Sequence, residues 1–346
     1  MKKLIITILN LQLFAELNTN VTTDAGLSVE NKTHYDKTLI DEAGPYLVHD
    51  QFGQKRDIPK NGGKRVEFRK YANLPKATKA LTEGVTPDGK KLSATSIEAE
   101  VQQFGDYVCL SDMLILTAID ANVVEATKAI GAQAGLTLDT ITRNVLQSGT
   151  NVFFCPEVDA DGKVTGLKPE VRSELTAGCK LTVNVVKRIV TMLKAVNAPK
   201  IDGKNYVCIL HPHCAYDLTT DPKWEEYHKY CKPEEMFEGE IGRIAGCRFV
   251  ETSEAAIYTG AENDCPDDLA VYAPLFLGAG AYGVTEITGG GLETIIKQLG
   301  SGGTSDPLDQ RSTVGWKATK VAEILMDPYM VRCECCGEFS SEAKMN

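Results

Sequence analysis

The stretch Lys64-Arg-Val-Glu-Phe-Arg-Lys-Tyr71 decides how the front third of the chain is read. Val66 and Phe68 alternate with charged residues, the period of two that marks a strand with one dry and one wet face. A second alternating run, Ile97 to Val108, carries Ile97, Ala99, Val101, Phe104, Tyr107 and Val108. The 25 residues between the two runs are polar, and Leu81-Thr-Glu-Gly-Val-Thr-Pro-Asp-Gly89 supplies turn residues. Two strands with a polar tip are marginal alone, so the sequence predicts a long hairpin that projects from the body. Lys76, Lys79, Lys90 and Lys91 along it read as solvated or partner-facing charges.

Downstream, Ser111-Asp112 is an N-cap for a first helical turn, and Asp120 caps a longer helix. Val123, Thr127, Ile130, Ala134, Leu138, Ile141 and Val145 recur there at spacings of three and four, while Glu125, Lys128, Asp139 and Arg143 fall mainly elsewhere. The result is a rod ended by Gly149. A second helix spans Thr182 to Val196, with Val185, Val186, Ile189, Met192, Leu193 and Val196 on its apolar side, and Pro199 stops it. Val207-Cys-Ile-Leu210 reads as a buried strand that exits through His211-Pro-His213 into a helix-like segment, Ala215 to Leu218. Short strands are expected at Arg248–Val250 and Leu269–Tyr272, and further strands within Gly289–Leu299, Gly315–Met326 and Tyr329–Cys335.

The 346 residues suit about two domains. With 43% hydrophobic, 24% charged and 7% aromatic residues, the composition is that of a folded, globular chain of mixed type rather than a disordered or multi-span membrane protein. A net charge of -10 opposes phosphate binding through clustered cations, which argues against a dedicated DNA reader. The 11 cysteines are odd in number and scattered, unlike a secreted disulfide framework, so they are expected as free thiols in a reducing compartment. Cys333, Cys335 and Cys336 lack the distant second pair of a tetrahedral zinc site.

Met1-Lys-Lys with Leu4-Ile-Ile-Thr-Ile-Leu9 has the outline of an export signal, but Asn10 and Gln12 break its apolar run and no small-residue cleavage pattern follows Ala15. An N-terminal arm that orders against another element or subunit is expected instead. Gly278-Ala-Gly-Ala-Tyr-Gly283 matches the glycine spacing of a dinucleotide loop, yet Val284-Thr-Glu-Ile287 reads as strand where that fingerprint opens a helix. A nucleotide-dependent oxidoreductase is therefore a distant alternative. Gly300-Ser-Gly-Gly303 lacks the ending of a phosphate loop. The five histidines sit in no protease or hydrolase context, and His211 and His213 are expected to make structural hydrogen bonds. Glu225-Glu226 and Asp267-Asp268 read as surface charge. An arm, a projecting hairpin and a rod without a reaction centre suit interaction better than turnover, so no catalytic residue is assigned.

Several ordered blocks carry a resemblance. Leu9-Asn-Leu-Gln-Leu-Phe-Ala-Glu16, Lys64–Tyr71, Leu81–Gly89 and Phe104-Gly-Asp-Tyr-Val108 are followed by Asn197-Ala-Pro-Lys200, His211-Pro212, Gly239–Gly246, Arg248-Phe-Val-Glu-Thr252, Ala281-Tyr-Gly283, Gln298-Leu-Gly300, Asp306-Pro307 and Gln310-Arg-Ser-Thr-Val-Gly-Trp-Lys317. Together these resemble the tailed-phage major capsid proteins of the Hong Kong 97-type fold, in the subfamily named after the coat protein of podophage N-four. The chain departs from that pattern in its cysteines, with Cys109, Cys208, Cys214, Cys231, Cys247 and Cys333 at positions expected to be apolar or small.

The resemblance implies an α+β fold with an N-terminal arm over 1–60, an extended β-hairpin loop over 61–108, a peripheral domain with the spine helix over 109–174, an axial domain over 175–290, and C-terminal strands 291–346 returning to the peripheral domain. It implies self-assembly through hexamers and pentamers into an icosahedral shell around double-stranded DNA, which the shell encloses without specific contact. The implied partners beyond the chain itself are a scaffolding protein, a portal and decoration proteins, with no membrane, cofactor or metal. The implied location is the virion capsid, after assembly in the host cytoplasm. Inter-subunit contacts are expected in the extended loop at Leu81, Thr82, Val85, Pro87 and Lys90. An encapsulin-like nanocompartment shell is the alternative reading of the same fold. No lysine and asparagine pair is identified for covalent crosslinking.

Overall fold

The computed structural model describes residue 39 and residues 47–346, apart from 57, 60–62, 72–73, 81–82, 85, 87, 118–121, 160–163, 167, 225–239, 267, 286–290 and 304–305. The expected export signal or arm, the Asp120 cap, His34, His228, Cys231, the Glu225-Glu226 pair and Asp267 lie outside the described residues. The strands are β1 Gln54–Lys55, β2 Arg65–Tyr71, β3 Ala94–Glu100, β4 Gln102–Ser111, β5 Val152–Phe154, β6 Tyr206–Leu210, β7 Glu240–Ile244, β8 Cys247–Glu251, β9 Ile257–Tyr258, β10 Val271–Tyr272, β11 Leu275–Leu277, β12 Tyr282–Thr285, β13 Glu293–Lys297, β14 Arg311–Ile324 and β15 Met330–Glu334. The helices are α1 Asp112–Thr117, α2 Asn122–Gln147, α3 Val183–Ala195 and α4 Pro212–Thr220.

A six-stranded mixed sheet, in the order β5-β15-β11-β6-β8-β7, forms the larger core. All five residues of β6 are buried, because both faces of the sheet are covered. Tyr206, Cys208 and Leu210 face a layer containing α3 and α4, whereas Val207 and Ile209 lie on the opposite face beside their β11 partners Leu277 and Leu275 and pack in one cluster with Leu146 and Tyr282. Helix α3 delivers Val185, Val186, Ile189, Val190 and Leu193 to this core. Met192 and Val196, expected on the apolar side, are exposed instead, since the helix touches the sheet along a narrower stripe than its sequence offers. Asp221 caps the helix from outside, accepting the Val183 N–H at 3.0 Å.

The second sheet runs β1-β12-β14-β13, with β4 on the other side of β14. Strand β14 is its organiser. It pairs with β4 over ten residues, from Arg311 opposite Ser111 to Lys320 opposite Gln102, and its last four residues pair with β12. Helix α2, 26 residues and about 39 Å long at 1.5 Å per residue, lies against the inner face, with Ile130, Ala134 and Leu138 packed on Val314, Trp316 and Ala318.

Two further expectations differ from the structure. The run Ile97 to Val108 is not one strand. It breaks at Val101, so β3 pairs with β2, alone among the described residues, and β4 belongs to the body sheet. Burying Val101 at the hairpin root requires the chain to turn there. Asp139 and Arg143, assigned mainly to the wet face of the rod, are buried, because the buried stripe widens toward the C-terminal end to include Thr142, Leu146 and Gln147. Elements outside the sheet cover that side. Arg143 donates from Nη1 to the Glu254 carbonyl at 2.9 Å and to Asn346 Oδ1 at 3.1 Å.

Candidate functional site

The hairpin β2–β3 pairs in register from Arg65 opposite Glu100 to Tyr71 opposite Ala94. Its apolar side forms a small core of Val66, Phe68, Ala99, Val101 and Ile58, against which Val321 and Leu325 pack. Phe68 reaches the body through a glycine. A Cβ at Gly283 of β12 would lie 2.8 Å from two carbons of the Phe68 ring. Beyond this root, the described residues of 74–93 are all exposed, Leu74 and Leu92 included. Of the expected contact residues, Lys90 is exposed and its Nζ donates to the Pro75 carbonyl at 3.3 Å, so it braces the two arms of the tip. Leu81, Thr82, Val85 and Pro87 lie outside the described residues.

A second surface has no motif in the sequence that marks it. The outer face of the β4–β14–β13 sheet forms a groove of about 880 Å³, bordered by Tyr107, Cys109, Ile295, Lys297, Arg311 and Lys317. Tyr107, 68% exposed, stands opposite Gly315, where a Cβ would meet the Tyr107 Cβ at 2.8 Å. Next to it, α1 buries none of its residues: Met113, Leu114 and Leu116 are exposed, Leu116 at 76%. Ser111 caps this helix as expected, its Oγ accepting the Leu114 N–H at 3.3 Å. The Asp112 N–H donates to the Gln310 carbonyl at 3.0 Å, which ties α1 to the 298–310 segment, where Leu308 is 75% exposed. The only sequence signal was the apolar content of Met113-Leu-Ile-Leu116, too short for a period to assign a face.

Behind these surfaces, a buried polar network holds residues 49–50 on the rod. His49 donates its backbone N–H to Asp139 Oδ1 at 2.8 Å, and its Nδ1 lies 2.6 Å from Asp139 Oδ2. Lys320 of β14 pairs with Asp50 and donates to the Leu138 carbonyl at 2.9 Å, while Thr142 Oγ1 donates to Asp50 Oδ1 at 2.6 Å. The Tyr282 hydroxyl donates to the His49 carbonyl. Buried charges persist when paired and hydrogen-bonded.

The glycine pattern at Gly278–Gly283 leads into strand β12, not a helix, so its N–H groups do not form a helix-terminal anion site. His211 Nδ1 accepts the His213 N–H at 3.2 Å, capping α4, and His213 Nδ1 lies 2.7 Å from the Tyr272 hydroxyl. Burial, with the neighbouring His213, pushes the His211 imidazole down to about 4. Cys333, Cys335 and Cys336 are free and buried. Among the described residues no His, Cys, Asp and Glu side chains gather as a metal-holding group, and no helix is long and apolar enough to cross a membrane.

The architecture is that of tailed-phage capsid subunits. The capsid protein of Ralstonia phage GP4 is similar with a TM-score of 0.61 at 15% identity, over 86% of this chain and 90% of the other. The capsid asymmetric unit of cyanophage Pam1 gives 0.60 at 13% identity, over 86% and 93%. The head structure of Helicobacter pylori bacteriophage KHP40 gives 0.59 at 12% identity, over 84% and 88%. Comparison with curated proteins finds no match. Residues 118–298, more than half of the chain, match the phage capsid protein family, and the chain belongs to that family. Its role is structural, and the nanocompartment alternative is the less supported reading of the shared fold.

Proposed function

We propose that this chain is the major subunit of an icosahedral shell, assembling with copies of itself into hexamers and pentamers that enclose double-stranded DNA. The observation that carries the reading, given the family, is the hairpin. It is anchored at one end by Phe68 and exposed over its described tip, the form expected of an element completed by a neighbouring subunit. Residues 1–60 act as the arm and 61–101 as the extended loop, shorter than the expected 61–108 because β4 pairs with β14 in the body sheet; that sheet with the α2 spine serves as the peripheral domain, and the six-stranded sheet, which takes in β5 and β15, as the axial domain. Leu81, Thr82, Val85, Pro87 and Lys90 contact the adjacent subunit. The -10 charge suits a wall that contains DNA without gripping it.

Heterologous contacts repeated around a ring close into capsomers, and permanent interfaces bury on the order of 2,000 to 5,000 Å². Assembly proceeds in the host cytoplasm with a scaffolding protein, around a portal, and decoration proteins add to the finished shell. Electron microscopy of the purified full chain, alone and with the co-expressed scaffolding protein, tests the reading. Rings, sheets or shells are expected; monomers under every condition overturn it.

A further inference from the structure

A thiol packs as a small apolar group, which accounts for buried cysteine in a core but not for cysteines that meet. Nine of the described free cysteines are buried, and four form a chain of contacts in the larger core. Cys155, directly after β5, has its Sγ 3.3 Å from that of Cys333 in β15. Cys214 of α4 has its Sγ 3.7 Å from that of Cys335. Strands β5 and β15 run parallel with Cys333 beside Phe153, and the Cys155 N–H donates to the Glu334 carbonyl at 2.9 Å. The two-residue period sends Cys333 and Cys335 to one face of the C-terminal strand, where both reach Cys155.

We propose that Cys155 and Cys333 are a disulfide-forming site, at which a small peroxide links β5 to the C-terminal strand. The sulfur of one cysteine attacks a peroxide oxygen, the O–O bond breaks, one water leaves and a sulfenic acid remains. The sulfur of the second cysteine attacks that sulfenic sulfur, the S–S bond forms as the S–O bond breaks, and a second water carries off the remaining thiol proton. Two thiols lose two electrons and two protons, and one hydrogen peroxide becomes two waters. The sulfurs close from 3.3 Å to about 2.05 Å, a movement of side-chain scale. Cys214 and Cys335 start farther apart and bridge a helix to a strand, so they are the slower pair.

Burial sets the pace. It pushes the Cys333 thiol up to about 11 and raises that of Cys155, and the thiolate is the reactive form. Cross-linking is therefore slow in the intact body and quickens when the strand pair opens. The resulting loop runs from residue 155 to residue 333, so the bond holds the C-terminal strand onto the sheet. The site stands on the core alone and is independent of the assembly reading.

The test treats the purified full chain with hydrogen peroxide, alkylates remaining thiols after denaturation, and maps unreduced peptides by mass spectrometry. A protease cutting after glutamate separates Cys333 from Cys335, so the unmodified sequence decides the pairing. The expected result is a Cys155–Cys333 linked peptide, lighter by two hydrogens than the separate thiols, with a melting temperature that rises and returns on reduction. Cys335→Ser retains the link, whereas Cys155→Ser and Cys333→Ser each abolish it. A link that survives in Cys333→Ser, or complete alkylation of Cys155 while other thiols oxidise, overturns the proposal.

Discussion

The Phe68 ring occupies the space that a side chain at residue 283 would need: two of its carbons lie 2.8 Å from the position of a Gly283 Cβ. The hairpin is thus seated on the body by an aromatic ring pressed onto bare backbone of β12. Gly283→Ala forces the ring out and is expected to cost about 1–3 kcal/mol, the usual range for overpacking. Denaturant unfolding reads the loss, and limited proteolysis should cut within 64–101 sooner than in the parent. Adding Phe68→Leu to Gly283→Ala should recover part of it, since the smaller side chain yields the space.

Lys320 and Asp50 are paired in a largely buried setting, with side-chain exposures of 6% and 18%. Lys320→Met leaves Asp50 without its cation, and a loss of about 3 kcal/mol or more is expected. Lys320→Met with Asp50→Leu should be less destabilising than the sum of the two single changes. A double-mutant cycle by equilibrium unfolding measures that coupling, and strict additivity would show that the pair does not interact.

His211 ties stability to mild acid. Its folded-state value near 4 lies below the unfolded value of about 6.5, because burial and His213 disfavour the imidazolium. Between those two values the unfolded chain binds the extra proton, so this contribution is present above pH 6.5 and lost as pH falls toward 4. The loss is about 3 kcal/mol. His211→Asn keeps a side-chain acceptor for the His213 N–H and should flatten that part of the stability profile. An unchanged slope in denaturation measured across that range would contradict the assignment.

Leu116 and Leu308 are exposed at 76% and 75%. Leu116→Asp and Leu308→Asp should leave the stability of the isolated chain within about 0.5 kcal/mol, as surface changes do. In the assembled state the same changes are expected to reduce particle yield, read by sedimentation. Normal yield from the double variant would remove this patch from the assembly surface.

The sequence made the rod and β6 legible because their patterns are local: a spacing of three and four for Thr127, Ile130, Ala134 and Leu138, and an unbroken apolar run over Val207–Leu210. Pairing over long separation was not legible. Nothing near Phe104 announces that β4 pairs with β14 some 200 residues away, since many registers satisfy the same alternation. Asp139 and Arg143 misled for a related reason: a charged residue on a rod reads as wet until its distant partners, His49 for one and Glu254 and Asn346 for the other, are brought against it. Of the candidate contact residues in the hairpin, only Lys90 is described, and its brace to Pro75 crosses the tip at a separation that composition does not encode.

Strand β14 receives the hairpin root at Val321 and Leu325, near and just past its end, and carries the outer groove along Thr313–Lys317. A pull on the hairpin directed along β14 is therefore borne in shear by the ten residue pairs it makes with β4, which must slip together rather than unzip one at a time. Tension would pass along covalent backbone from the root to the groove floor, making this strand a tendon whose resistance scales with the length of its register.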